Sequence, residues 1–176
     1  MLSNKTFEKI SSIGKKQWND CSNNENPFLS YTFLKNLEDS KSIGQGTSWL
    51  AKYLCIYNNN KIIAVAPMYI KLDSQGEYVF DHAWANAYYN AGGKYYPKIQ
   101  LSVPFTPVTG NRILIKAGLT TKEKINIFNY IAEIIINITN NNFSSAHITF
   151  CTKEESVFFS KNKFLTRIGE QFHWRN

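Results

Sequence analysis

At 176 residues, 43% of them hydrophobic and 15% aromatic, the chain has the size of one ordinary domain, residues 1–176, with enough apolar mass to bury a core unaided. It has no run of about 18 apolar residues, which argues against a membrane span, and its polar start MLSNKTFEKISSIGKK lacks the apolar stretch of a secretory signal, so the cytoplasm is the expected compartment. The net charge of +7 comes from seventeen lysines and three arginines (Arg112, Arg167, Arg175) scattered without a basic block, and it accompanies roughly twenty asparagines, so it is no argument for direct nucleic-acid binding.

Ser11 to Cys21 has a helical pattern carried by Ile13 and Trp18, with Cys21 at its end. Three cysteines (Cys21, Cys55, Cys151) without C-x-x-C spacing read as reduced structural thiols rather than as a disulfide frame or a zinc site. Ser30 caps a second helix in SYTFLKNLEDS, where Phe33, Leu34 and Leu37 share a face and SIGQG provides the stop. AKYLCIY, Asn58-Asn59-Asn60 and KIIAVAPMYIK then spell a β-hairpin, since asparagine tolerates the positive φ of a tight turn; Pro67 breaks or edges the second arm.

Between Tyr78 and Gly110 lie eight aromatic residues (Tyr78, Phe80, Trp84, Tyr88, Tyr89, Tyr95, Tyr96, Phe105) and only three charged ones, Asp81, Lys94 and Lys98. Asp81 starts a short helix with Trp84 and Tyr88 as i,i+4 neighbours and Gly92-Gly93 as its stop. VPFTPVTG then stiffens the chain, because each proline fixes its own φ and holds the preceding residue extended. Such a segment suits either the wall of a small-molecule pocket or a core corner. Arg112 to Lys116 reads as a strand. A long helix follows over Thr121 to Asn140, with Thr120 and Glu123 as a capping box and Ile125, Phe128, Ile131, Ile135 and Ile138 on one face. A strand over Ala146 to Phe150 leads to a second capping box, Thr152 and Glu155, and a helix carrying Val157, Phe158 and Phe159. Phe164 to Arg175 alternates as a final strand, with Gln171, His173 and Arg175 on its polar face. This order predicts an α/β (α+β) domain with a mixed sheet flanked by helices.

The candidate site residues each have a functional reading and a structural one. Asp81 is a general base or a helix N-cap. Lys98, thrown from an extended segment by Pro97, pairs with a phosphate or carboxylate while Tyr96 stacks or hydrogen-bonds, or else is an exposed edge lysine. Thr106 and Thr109 offer hydroxyls to a ligand or satisfy local backbone groups. Gln171, His173 and Arg175 bind substrate, contact a further half of the protein, or form a solvated face. His147 and Cys151, four apart, point to one side as a Cys–His pair or as bystanders; neither His82 nor His147 has a partner at metal-ligand spacing.

The order of elements resembles the acyl-CoA N-acyltransferase (GNAT) fold. NPFLSYTFLKNLEDSKSIG (Asn26 to Gly44), APMYIKLDSQGEYVFDHAWANAY (Ala66 to Tyr88), YYPKIQLSVPFTPVTGNRIL (Tyr95 to Leu114) and QFHWRN (Gln171 to Asn176) resemble, more narrowly, a bacterial family of peptidoglycan biosynthesis or recognition proteins related to the Fem aminoacyltransferases. That resemblance implies acyl or aminoacyl transfer to an amine of a small-molecule cell-wall precursor, with acyl-CoA or aminoacyl-tRNA as donor. It makes the aromatic segment an acceptor-side wall and Asp81, Trp84, Tyr88, Tyr95, Tyr96, Lys98, Thr106, Thr109, Gln171, His173 and Arg175 its candidate substrate-binding residues. Members are usually tandem, so the chain corresponds to the first GNAT-like half and expects either a second half or a homodimer. GNAT proteins cradle pyrophosphate on a glycine-rich turn opening a helix. Here the junction reads IKAGLTTKEK with one glycine, Gly118, so no acetyl-CoA cofactor is expected in this half. A cell-wall-precursor recognition module and a protein-interaction domain are the alternative readings.

Overall fold

The computed structural model describes residues 1–23, 26–170, 172 and 174. Its strands are β1 (Leu2–Phe7), β2 (Trp49–Ala51), β3 (Tyr53–Asn58), β4 (Lys61–Ala66), β5 (Met68–Lys71), β6 (Lys98–Leu101), β7 (Leu114–Ile115) and β8 (Ala146–Ile148); its helices are α1 (Lys15–Ser22), α2 (Tyr31–Asp39), α3 (His82–Asn90), α4 (Thr121–Asn142) and α5 (Lys153–Lys161). The strands form two four-stranded sheets, ordered β1-β3-β4-β7 and β2-β5-β6-β8. All pairings are antiparallel except β6 with β8.

The two sheets are halves of one bent ribbon. β2 runs into β3 through Lys52 and β4 into β5 through Pro67, so each long strand serves both sheets. Across the bend Lys52 donates to the Met68 carbonyl at 2.8 Å and Ser102 to the Pro67 carbonyl at 3.2 Å. Pro67, which has no N–H to give a ladder, stands at the bend where none is required. At the far side the ribbon forks, because β7 stays with β4 while β8 pairs with β6, and residues 102–113 fill the fork.

Local chemistry explains most elements. Asn59 and Asn60 take φ of 47° and 64°, which turns β3 into β4 through a two-residue loop, one residue shorter than the three asparagines suggest. Ser30 accepts the Phe33 amide to start α2. Thr120 with Glu123 and Thr152 with Glu155 form complete capping boxes on α4 and α5. Alternation along β3 sends Tyr53 and Cys55 to a core under α1 and α2, which contribute Trp18, Cys21 and Leu34. Leu54 and Ile56 face a second core with Ile99, Leu101, α4 and Phe159 of α5. On α4 the buried stripe is Ile127, Ile131, Ile134 and Ile135. Ile125 is exposed, so the expected face is rotated: the spacing 127, 131, 134, 135, 138 follows 3.6 residues per turn, and Ile125 lies across the helix from Ile127.

Three further expectations change. β1 was not foreseen, because an edge strand with outward-facing side chains at most positions shows no alternation. β2 is too short to signal itself. Among the described residues the final strand does not form: Phe164 to Glu170 is irregular, and of these only Phe164 packs on the second core. Its pattern is genuine, but the free edge of β8 takes no partner among the described residues. Gln171, His173 and Arg175 lie outside the described residues. No helix among those described is long and apolar enough to cross a membrane.

Candidate functional site

Between β5 and β6 the chain makes an excursion, residues 72–97, that includes α3 and folds over one face of the second sheet. Register determines what it covers. Lys71 stands opposite Lys98, Tyr69 opposite Gln100 and His147 opposite Gln100, so one sheet face carries Tyr69, Lys71, Lys98, Gln100 and His147 while Ile99 and Leu101 pack on the other side.

The excursion returns carboxylates to this face. Lys98 is fully buried, and its Nζ donates to Asp81 Oδ2 at 2.7 Å, Glu77 Oε2 at 2.9 Å and Ser74 Oγ at 3.0 Å. The ammonium lies 5.3 and 5.5 Å from the ring centres of Tyr95 and Tyr96, which gives it two aromatic walls. Tyr95 donates its hydroxyl to Asp81 Oδ2 at 2.8 Å, and the Tyr96 and Ser74 hydroxyls meet at 2.6 Å. Lys71, also fully buried, sits 3.9 Å over the Trp49 ring and donates to Ser48 Oγ and the Gln75 carbonyl, both at 3.1 Å. Gly76 makes the loop feasible: at φ 74° a Cβ there would meet the Phe105 ring at 2.6 Å. His147 places Nδ1 3.8 Å from Asp81 Oδ2 and Nε2 3.1 Å from Ser145 Oγ.

Protonation follows from this packing. Burial by itself would raise the Asp81 pKa, but hydrogen bonds from Lys98, Ser74 and Tyr95 and the Lys98 charge outweigh it and hold the carboxyl at about 2. Glu77 is pushed up, because burial exceeds the opposing pull of Lys98. Burial, and then the Lys98 charge, lowers His147 to about 4 against the attraction of Asp81. Burial likewise brings Lys71 down to about 8. At neutral pH the site therefore holds an ionised Asp81 beside a neutral imidazole. Two carboxylate oxygens, Glu77 Oε1 and Asp81 Oδ1, are buried with no hydrogen-bond partner, as are Gln100 Oε1 and Ser102 Oγ on the same strand face.

Several sequence readings change here. Asp81 occupies the N-cap position of α3, yet its side chain makes no cap bond and turns inward to Lys98. A buried ammonium is a stronger partner for the carboxylate than a solvated amide. Lys98 is not an edge lysine, and its charge is spent on internal acids rather than offered to an anion. Tyr95 and Tyr96 join the cluster. Trp84 points outward under the Arg167 guanidinium, and Tyr88 reaches the cluster only through its edge contact with Tyr95. Thr106 donates to the Pro104 carbonyl, the local-backbone role. Thr109 is exposed and lines a separate cleft of about 380 Å³ between residues 108–111 and Asn26–Leu29. His147 partners Ser145, Asp81 and Tyr95, and among the described residues no hydrogen bond joins it to Cys151. Glu77, Asp81 and His147 do bring ligand atoms within 4.8 Å of one another, a grouping their spacing along the chain concealed. Lys98 already supplies a cation to both carboxylates of that group.

Glu77, Lys71 and Ser74 escaped sequence reasoning. The available signal was Lys71 closing one largely apolar strand and Lys98 opening the next, where a buried charge persists only if it is paired.

A family profile described as FemAB-like, peptidoglycan biosynthesis/recognition, matches residues 9–176, which takes in the whole cluster. The chain belongs to the FemAB-like family. Among curated proteins no significant match is found. Solved structures share the fold of this FemAB-like domain at low identity. A possible acetyltransferase from Clostridium difficile 630 superposes with TM-score 0.55 at 11% identity, covering 100% of this chain and 98% of that one. Glucosamine-6-phosphate N-acetyltransferase from Arabidopsis thaliana gives 0.54 at 10%, covering 100% and 99%. Ribosomal-protein-alanine N-acetyltransferase from Brucella melitensis biovar Abortus 2308 gives 0.51 at 8%, covering 100% of both chains. The FemAB-like chain thus has a mixed α/β, GNAT-like fold. At the start of its α4, Glu123 accepts from the Thr120 amide at 2.8 Å and the Thr120 hydroxyl at 2.7 Å, and its own amide donates to that hydroxyl at 3.3 Å, which closes the capping box.

His147 makes the FemAB-like site sensitive to acid. Its folded pKa, about 4, lies below the unfolded value near 6.5, so the unfolded chain binds the extra proton first. The resulting stability is present above pH ~6.5 and lost as pH falls toward ~4, by roughly 2–3 kcal/mol. Urea unfolding at pH 7 and 4.5 should show this loss, and His147→Gln should flatten it; an unchanged pH slope in the variant would assign the acid lability elsewhere.

Proposed function

We propose that this domain binds the amine of a peptidoglycan precursor and presents it for acyl or aminoacyl transfer, with the Asp81–Glu77–His147 cluster as the acceptor end of the site. The observation that carries the reading is the pair of unpartnered carboxylate oxygens, Asp81 Oδ1 and Glu77 Oε1, in a cluster that also holds His147 and Tyr95 on the other Asp81 oxygen. Carboxylate oxygens and aromatic faces are what an ammonium group selects. Transfer requires that the ammonium lose its proton before the nitrogen attacks the acyl carbonyl. His147, one-quarter exposed and neutral at pH 7, would take that proton before attack; the nitrogen's second proton then leaves with the donor's departing group as the C–N bond forms and the acyl–donor bond breaks. Holding the amine in line contributes the rest through positioning.

The donor, acyl-CoA or aminoacyl-tRNA, would bind elsewhere, on a second GNAT-like half or a second copy. The single Gly118 at the turn before α4, in place of a glycine-rich cradle, supports that division, and the reading assigns the domain to the cytoplasm. The same glycine-poor turn favours, as a second reading, a recognition module without turnover. Titration calorimetry tests the proposal: a UDP-linked muramyl pentapeptide should release heat, Asp81→Asn should weaken binding by at least about tenfold, and acetyl-CoA should give none. Heat from acetyl-CoA alone, or from neither ligand with the fold intact by circular dichroism, overturns it. Precursor binding without transfer when the donor-side half is supplied selects the recognition module.

A further inference from the structure

α3 is an unusual helix for a water-soluble surface. Of its nine residues only Ala85 is buried. Phe80, two residues before its start, is 77% exposed, and Trp84 within it is 61% exposed, together with the exposed Tyr89. The irregular segment after α5 runs alongside: Arg167 lies 5.5 Å over the Trp84 ring, and its neighbours Leu165 and Ile168 are 98% and 89% exposed. Isolated apolar residues are ordinary on a surface, but two large exposed aromatics and two exposed aliphatics, on segments joined by the Arg167–Trp84 contact, suit a contact surface.

The composition of the patch indicates its partner. Trp and Tyr have apolar bodies and polar tips, and they are the side chains that occupy the boundary between hydrocarbon and water. Four exposed cations lie on the same stretches of chain: Lys94 follows α3, Lys161 ends α5, and Lys163 and Arg167 lie on the segment after it, Arg167 against Trp84. Among residues 78–97 the one acid is Asp81, neutralised internally by Lys98, and among 162–170 the one acid is Glu170. The rim is thus cationic on a chain of net charge +7. An aromatic centre with a basic rim, on a helix lying flat against the body, has the form of a peripheral contact with an anionic bilayer.

We infer that the Phe80–Trp84 face of α3, with Leu165, Ile168 and Arg167, docks this domain on an anionic lipid surface. The contact is interfacial and reversible, and it leaves the Asp81–Lys98 cluster beneath the same excursion close to the bilayer. It stands independently of the amine-acceptor reading, since its test uses neither precursor nor donor.

Co-sedimentation with vesicles at about 0.15 M salt decides the matter. The unaltered chain should pellet with vesicles of equal parts phosphatidylglycerol and phosphatidylcholine and far less with phosphatidylcholine alone. Phe80→Ala with Trp84→Ala should weaken partitioning by about tenfold, and Lys163→Glu with Arg167→Glu should weaken it at low salt as well. Quenching of tryptophan emission by brominated lipid, read on the unaltered chain, must accompany binding and does not depend on any variant folding. The proposal fails if the chain does not pellet with the anionic vesicles, if the Phe80/Trp84 variant partitions as well as the parent, or if the patch proves to bury itself against a second copy in solution.

Discussion

Lys98→Met should be the most damaging single change in the second sheet. The substitution keeps the stem and removes the ammonium, which leaves Asp81 and Glu77 buried without their cation; breaking a buried pair in this way costs roughly 3–5 kcal/mol. Its pH dependence identifies the cause. In the parent chain Asp81 is held at about 2, below its unfolded value near 3.9, so its contribution is present above pH ~4 and is lost as pH falls toward 2. In the variant both carboxyls are buried and unpaired, with folded pKa values above their unfolded ones. The penalty is then full at high pH and is relieved as pH falls through the raised values. Urea midpoints at pH 7 and 5 should therefore converge between parent and variant as pH drops, and adding Asp81→Asn and Glu77→Gln to Lys98→Met should recover most of the loss at pH 7. A pH-independent loss would mean that the lysine stem, not its charge, matters.

Glu155→Ala and Arg112→Lys should come next, and for a reason that ties the fold to the site. Arg112 is fully buried; its guanidinium donates to the carbonyls of Val108 at 2.7 Å, Thr149 at 2.8 Å and Gly110 at 3.0 Å. Its backbone amide and that of Ile113 both donate to Glu155 Oε1 at 2.8 Å. This clamp spans the fork where β7 and β8 part, satisfying backbone groups that no ladder can reach. Removing the Glu155 carboxylate orphans two buried amides and half of the α5 capping box, at a cost of roughly 3–4 kcal/mol. Lysine at 112 cannot span three carbonyls with one ammonium, so roughly 2 kcal/mol or more should be lost despite the retained charge. Thr149 lies two residues beyond His147, so the clamp also anchors the end of the strand that presents the imidazole. An NMR titration should show the His147 pKa moving toward its ordinary value in Arg112→Lys; an unmoved titration would confine the clamp to stability.

Much of this architecture is legible in the chain. Ser30, Thr120 with Glu123, and Thr152 with Glu155 announce helix starts through local hydrogen bonds. The asparagine turn announces the β3–β4 hairpin, the order of elements announces the GNAT-like fold, and the four strings announce the narrower family. The site was legible only in part. Tyr95, Tyr96, Lys98 and Asp81 stood out as an aromatic segment with isolated charges, but their roles were read outward, toward a ligand, when two of them face each other.

The sequence by itself determined the local elements, because caps, turns and 3.6-residue periodicity are set by neighbours a few positions apart. Only the tertiary structure decided the site. Lys71 opposes Lys98 because β5 and β6 pair in one register, Glu77 and Asp81 meet that pair because a 26-residue excursion folds back over it, and His147 arrives from a strand 49 positions beyond Lys98. Those contacts join residues whose sequence neighbours carry no trace of them, and burial, which makes each charge require its partner, exists only once the sheet has closed.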